Sequence, residues 1–451
     1  MTPLLARSRA IRPKGFLAWR RCLLHVAVIL AVAALTVARA EDVTIDLSVD
    51  EAIALAARLL VEGRTEQAMY VVRTVKQSVP DHPQVLFLEG QIALQQGRYA
   101  DAVEVFRQIL SRDPALVRVR LELARALFLG GDFEAARYHF EQVLGGDLPE
   151  PVRQNVYRFL TQIDAETSWL SLTLSIGPDS NPSFATTAES VDILGQKFVL
   201  NPDARAREEV GLVAFAHARA AFGAENRAFI RGDVEVREYP DSYADFIYAQ
   251  TTLGRNFVSG STVWTAELGP LGSMYQGRAL YWGGVAQLTH ASPLTPRVLS
   301  SQFVALKALT YGEFSYLSGR QAWSGADLRY SIDSVSGVSM GLVLARNWAE
   351  ESPYSYSVLH WAVGYARELP RRFNTSVRLT VSQYDYDSPL PLFGEVREDK
   401  LLALDFNVIA RDWAVGGFAP MLTVGLSWND STIELFEYQR QYLAIGITRN
   451  F

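Results

Sequence analysis

Cysteine is nearly missing from this chain. Cys22 is the only one in 451 residues, and it lies in the opening apolar segment. The rest of the chain therefore has no thiol, disulfide or cysteine-bound metal, and its stability must come from a large core or a closed sheet. Histidine is also thin: His82, His139, His217, His290 and His360 follow the opening segment, far apart in sequence. None forms the i,i+4 pair with a neighbouring acid that a zinc protease needs. No G-x-S-x-G elbow and no phosphate-binding glycine loop occurs. Residues 384–387, Tyr-Asp-Tyr-Asp, read as a polar loop between strands rather than a metal site. These absences argue for a protein that is not an enzyme and carries no cofactor or metal. Net positive charge is lacking too. The formal charge is −6, and the first forty residues hold seven cations and no acid, so taking those seven away leaves −13. Such a chain is poorly suited to neutralising phosphates, which excludes a nucleic-acid partner.

Long apolar runs are absent except for one. A basic stretch ends at Arg20 and Arg21, residues 22–37 are apolar, and Ala38-Arg39-Ala40 follows. That is the layout of a secretory signal peptide over residues 1–40, too short for a comfortable membrane span.

Residues 41–166 form a repeat domain. Gly63, Gly97 and Gly131 recur every 34 residues, as do Ala68, Ala102 and Ala136. Ala56, Gly90 and Ala124 share the period with small side chains, and Val72, Phe106 and Phe140 share it with bulky ones. Thirty-four is the length of the helix-turn-helix tetratricopeptide repeat. Small residues let paired helices approach, the bulky residue fills the gap to the next unit, and glycine serves the turn. Pro149 and Pro151 then open a helix, with Val152, Val156, Phe159 and Ile163 at helical spacing, that caps the stack. Three repeats make a short curved groove of the kind that binds a peptide or protein segment or serves simply as a spacer.

From residue 167 to 451 the period becomes two. Ile230, Gly232, Val234 and Val236 alternate with Arg231, Asp233, Glu235 and Arg237; Leu402, Leu404 and Phe406 alternate with Ala403, Asp405 and Asn407. The strands are long, carry charges in their middles and gather aromatics near their ends. That pattern predicts an antiparallel transmembrane β-barrel with apolar residues facing lipid and polar residues lining a lumen. About fourteen strands fit the length. The expected fold is thus an α + β multidomain protein: a periplasmic α-helical tetratricopeptide repeat domain, then an outer-membrane barrel. Arg231, Asp233, Glu235, Arg237, Asp327, Arg329, Asp405 and Arg411 are the expected lumen charges, guiding whatever passes or forming salt bridges that only hold the barrel. In the final strand Leu443, Ile445 and Ile447 face lipid, and Phe451 resembles the terminal aromatic by which barrel-assembly machinery recognises its substrates.

Signal, repeats and barrel in this order resemble the surface lipoprotein assembly modifier (Slam) family, and local stretches strengthen the likeness. Gly177-Pro178-Asp179-Ser180-Asn181-Pro182 is similar to the G-x-D-S-N-P stretch that opens the family's barrel domain. Arg397-Glu398-Asp399-Lys400 resembles an R-x-D-K turn, and Gly417-Phe418-Ala419-Pro420 another family element. Asn429 to Ile433, with Ser431, leads to Tyr438-Gln439-Arg440, similar to an N-x-S-N-I…Y-x-R ending, although Thr432 stands where the second Asn is usual. The resemblance implies an outer-membrane translocator for a surface lipoprotein or related secreted protein. Its repeats would lie in the periplasm and engage the client or a periplasmic chaperone; its other partners would be barrel-assembly machinery and outer-membrane lipid. An exopolysaccharide exporter, or a porin with a structural repeat domain, is the alternative; neither accounts for the Ser180-Asn181 and Tyr438-x-Arg440 likenesses.

Overall fold

The computed structural model describes residues 47–369 and 373–449. The expected signal segment and Phe451 lie outside the described residues.

Seven helices come first: α1 (Val49–Val61), α2 (Thr65–Ser78), α3 (Pro83–Gln95), α4 (Tyr99–Arg112), α5 (Val117–Leu129), α6 (Phe133–Val143) and α7 (Glu150–Glu166). The first begins on a capping box, Ser48 with Glu51. Three turns between paired helices are built alike. Gly63, Gly97 and Gly131 have φ of +73°, +72° and +83°. After each, the next N–H reaches back to a carbonyl five residues earlier: Arg64 to Leu59, Arg98 to Ala93 and Asp132 to Leu127, all at 2.9 Å. This is the Schellman stop, and a β-carbon at that φ is strained. The periodic small residues bring the helices together: Ala68, Ala102 and Ala136 are fully buried. A β-carbon at Gly90 would stand 2.5 Å from the Phe106 ring. Phe140 stacks on Phe159 at 4.9 Å between ring centroids, tying the capping helix α7 to α6.

The remaining strands are β1 (Trp169–Asp179), β2 (Ser190–Ile193), β3 (Gln196–Val199), β4 (Glu209–Phe222), β5 (Ala228–Glu238), β6 (Phe246–Ser259), β7 (Thr262–Tyr275) and β8 (Arg278–Thr295). They continue as β9 (Val298–Tyr311), β10 (Gly319–Ser331), β11 (Ser336–Ala349), β12 (Tyr356–Leu369), β13 (Phe373–Pro389), β14 (Val396–Ala410), β15 (Ala419–Ser431) and β16 (Tyr438–Thr448). β2 and β3 form a small hairpin in the loop after β1; the other fourteen close an antiparallel barrel in which β1 meets β16. Closure pairs the backbone groups that an open edge would leave unsatisfied in lipid. The side-chain alternation gives two surfaces. Outside are apolar residues such as Leu268, Leu306 and Ile445, at 64%, 59% and 59% exposure. That belt suits hydrocarbon. No helix among the described residues is long and apolar enough to cross a membrane.

The barrel has a helix-bearing end, where β1 starts, and a far end, where the long loops lie. The helical domain sits against the first of these. Two sequence expectations shift. Residues 384–387 are not a loop: β13 runs through them to Pro389. Arg411 is not in a strand, because β14 stops at Ala410 and Arg411 opens a 3₁₀ turn at the helix-bearing end.

Candidate functional site

Three clusters of polar side chains divide the barrel: one across the far end of its seam, one inside, and one where the helical domain meets its mouth.

At the far end, β1 and β16 pair Thr173 with Thr448 through Ile176 with Ile445, and again at Asp179 with Tyr442. Gly177 and Pro178, between these, take no ladder partner on β16. Proline has no N–H to give. Beyond that gap, side chains hold the seam. Arg440 donates to both Asp179 oxygens, through Nε at 3.0 Å to each and Nη2 at 2.6 Å to Oδ2. The pair is nearly dry, at 15% and 6% side-chain exposure. Asp179 also accepts from the Asn181 N–H at 3.0 Å and the Tyr239 hydroxyl at 3.3 Å. Arg440 lies over the rings of Phe184 and Tyr442 at 4.6 and 4.7 Å. Ser180 exchanges bonds with Gln441: its N–H donates to the Gln441 carbonyl, and the Gln441 N–H donates to its hydroxyl. Asn181 donates to the carbonyls of Ala185 and Gln439. Tyr438 meets the edge of Phe184. Two of the stretches that carry the family likeness, 177–182 and 438–440, are therefore one contact. Another, 397–400, is held by a similar pairing: Arg397 pairs with Asp399 at 2.5 Å and stacks on Phe436 at 3.5 Å. Ser431 accepts from the Ile433 N–H and shapes the loop before β16.

Inside the barrel the expected lumen charges are mostly paired with one another. Arg231 reaches Glu267 at 2.8 Å and Asp233 at 3.4 Å; Asp233 meets His217 at 2.9 Å. Arg237 holds Glu235, and Asp405 accepts from the Tyr442 hydroxyl at 2.7 Å. Asp327 stands 3.7 Å from Arg329, whose stronger partner, Glu141 at 2.7 Å, belongs to the helical domain. Another arc is aromatic: Tyr248, Tyr281 and Tyr311 cover Leu271, Val285 and Leu309.

At the mouth, polar groups join the two domains. Arg120, on α5, donates to Glu368 of β12 at 2.7 Å, and the side chains are 0% and 1% exposed. It also donates to the Pro114 carbonyl at 2.6 Å and lies 3.2 Å from His139 Nδ1. The Tyr138 hydroxyl donates to Glu368 at 3.3 Å, and Arg411 lies over the Tyr138 ring at 3.6 Å. The Asn374 amide oxygen, oriented by the hydrogen-bond network, accepts from Arg411 Nε at 2.8 Å. Burial pushes the Tyr138 hydroxyl above its ordinary pKa; Arg411 opposes this and Glu368 adds to it. Arg219 of β4 donates to the carbonyls of Thr167 and Ala165, and Asn256 of β6 to that of Ala165. A cation there meets the open carbonyls and negative end of α7. Arg137 pairs with Asp164; burial works against its charge, but Asp164, Glu141 and Glu134 hold its pKa above the ordinary value.

Arg120, Glu368, Tyr138 and Arg219 went unnoticed in the sequence. One signal was available. Counting back by 34, Arg120 occupies the place of Leu86 and Ala52, both buried, so a cation stands where the other repeats are apolar.

On the other face of the repeat stack, α5 and α7 line a cavity of about 490 Å³. Leu121, Val152, Val156 and Phe159 give it an apolar floor, and Glu122, Arg125, Asn155 and Arg158 a polar rim. Burial raises the Glu122 carboxyl above its usual pKa against the pull of Arg125 and Arg118.

Two sequence profiles match the chain. One, described as surface lipoprotein assembly modifier, N-terminal TPR repeats, covers residues 53–140; the other, surface lipoprotein assembly modifier, covers 206–451. The surface lipoprotein assembly modifier of Pasteurella multocida is 33% identical over 21% of this chain, a match spanning 18% of that protein's length. The one from Moraxella catarrhalis is 20% identical over 85% of this chain and 77% of its own. Among solved structures, the outer membrane channel DcaP of Acinetobacter baumannii aligns over 62% of this chain and 97% of its own, at 9% identity and a TM-score of 0.38. Because the larger profile spans more than half of its residues, this protein belongs to the surface lipoprotein assembly modifier family.

Proposed function

We propose that this chain is an outer-membrane translocator. It moves a surface lipoprotein, or a related secreted protein, from the periplasm to the cell exterior. The observation that carries the proposal is the family match over residues 206–451, which takes in thirteen of the fourteen strands of the closed barrel with its apolar belt. The helical domain lies on the periplasmic side and the far end faces outward. The cavity between α5 and α7, with its apolar floor and mixed-charge rim, is where an extended segment of the client, or of a chaperone carrying it, is held. The outer membrane offers no nucleotide supply, so folding or binding of the client outside draws it across. The paired charges at Arg231, Asp233, Glu235 and Arg237 keep the interior wet and give a passing chain exchangeable partners. Barrel-assembly machinery inserts the chain, with Phe451 in its recognition signal.

The test is deletion of the gene, followed by surface and secretome proteomics and complementation. A small set of surface or secreted proteins should fall and return with the gene. An unchanged set refutes the reading. Reversing Arg231, Asp233, Glu235 and Arg237 together, with delivery intact, would leave those charges a purely structural role.

A further inference from the structure

The helical domain does more than hang beside the barrel. Its contacts run round the mouth: Arg219 on β4, Asn256 on β6, Thr295 on β8, Arg329 and Ser331 on β10, Glu368 on β12 and Arg411 after β14. Helix α6 touches β10, β12 and the turn after β14. Tyr138, Glu141 and Gln142 on it line one cavity of about 470 Å³ with Arg378, Asp405 and Tyr442 of the barrel interior. An element that shares a cavity with the lumen wall stands in the path of anything crossing the lumen.

The joint is of a separable kind. Surfaces that never part resemble a domain core cut in half, whereas joints between mobile domains are polar. Here, among the described residues, Leu299 is the barrel side chain packed on the main apolar core of the repeats, while the contacts named above are charged or hydrogen-bonded. A buried ion pair such as Arg120–Glu368 gives back roughly what its desolvation cost, but removing one partner leaves the other charge buried and unpaired, so the seated state depends on both. The contacts also differ around the ring. At α7, Arg219 and Asn256 bond to backbone carbonyls just ahead of the connection into β1. Across the mouth, Arg120, Tyr138, Glu368 and Arg411 form a side-chain cluster with no covalent tie nearby.

We infer that the repeat domain is the gate of the barrel: it pivots about the C-terminal end of α7, and the Arg120–Glu368–Tyr138–Arg411 cluster is the latch that holds it shut. The gate rests on the reading that cargo uses the lumen. A close approach marks where it can be forced. A β-carbon on Gly145, in the turn between α6 and α7, would fall 2.1 Å from the Asp333 carbonyl oxygen in the β10–β11 turn. The seated state admits only glycine there. Nearby, the Ser334 hydroxyl donates to the Ala115 carbonyl at 3.2 Å, joining the two domains at one point.

The experiment uses the full chain in planar bilayers and in cells. Gly145→Val wedges the joint without changing charge, and Glu368→Gln weakens the latch while keeping its shape. The pair Ala115→Cys and Ser334→Cys locks the domains together when oxidised, in a chain whose one other cysteine is Cys22. Gel mobility of the folded and heated barrel shows that each variant is assembled. Both opening variants should raise open probability about tenfold, the ratio that ~1.4 kcal/mol of lost closure corresponds to. The oxidised pair should abolish openings, and reductant should restore them. Equal conductance in wild type, both opening variants and the oxidised and reduced pair overturns the gate. Conductance needs no client, so the two readings fail separately. If conductance switches while gene deletion leaves surface proteins unchanged, the gate stands and the translocator falls. If deletion strips a surface protein while the oxidised pair conducts and delivers normally, the gate falls and the translocator stands.

Discussion

Replacing Arg440 by alanine should cost the barrel about 3–5 kcal/mol, the range found when one partner of a buried pair is removed. Asp179, with 6% of its side chain exposed, now accepts three short contacts from Arg440. Without the guanidinium it keeps the Asn181 N–H at 3.0 Å and the longer Tyr239 bond at 3.3 Å. Two neutral donors cannot replace a bidentate cation. The reverse change should be milder. In Asp179→Asn, Arg440 keeps the faces of Phe184 and Tyr442. Such cation–π contacts retain about 0.5–2 kcal/mol. The loss should fall on the seam, since Gly177 and Pro178 leave the ladder without pairs just below the clasp. The assay is urea unfolding of the lipid-embedded barrel, followed by tryptophan fluorescence, on both single variants and the double. Arg440→Ala should be the worse single change, and the double should fall short of the sum by about 0.5–3 kcal/mol. Single losses under about 0.5 kcal/mol, the size of an ordinary surface substitution, would refute the clasp as a structural tie.

Other outcomes follow from the same contacts. Gly90→Ala should destabilise the repeat stack by about 1–3 kcal/mol through overpacking on Phe106, read as a lower melting temperature by circular dichroism. Ile445→Arg, on the outer belt, should cost about 2–4 kcal/mol near the bilayer middle, measured by the same urea titration. The Asp333 carboxyl sits below its usual pKa: burial raises it, but the Val335 N–H and the Ser336 hydroxyl and N–H lower it further, with help from Arg367. Its stabilising share is therefore present above the ordinary aspartate range and lost as pH falls through the lowered value. Asp333→Asn should lower stability at neutral pH by that share and leave low pH nearly unchanged, so the acid limb of a urea-titration stability profile flattens.

Much of this could be read in order along the chain. A 34-residue period needs only local spacing, and the helices, their glycine turns and the buried alanines follow from it. A two-residue period likewise marks which side chains face lipid, so the fourteen strands could be counted. Where reading failed, a non-local contact had decided the matter. Residues 384–387 look like a turn by composition, yet Asp385 pairs with Ser357 and Glu398 across neighbouring strands, and β13 continues through them. Arg411 keeps the strand's alternation but leaves the strand to lie on Tyr138, a residue of another domain.

The sequence by itself determined the element types, the two-domain order and the two faces of the sheet, because each depends on spacing within one segment. Only the tertiary structure decided which charges meet. Asp179 and Arg440 are 261 positions apart, and barrel closure alone brings them together. Arg120 and Glu368, 248 apart, meet because a rigid stack of repeats ends in a capping helix that runs straight into the first strand. No periodicity encodes such pairs. They follow from where a closed ring and a docked domain place their ends.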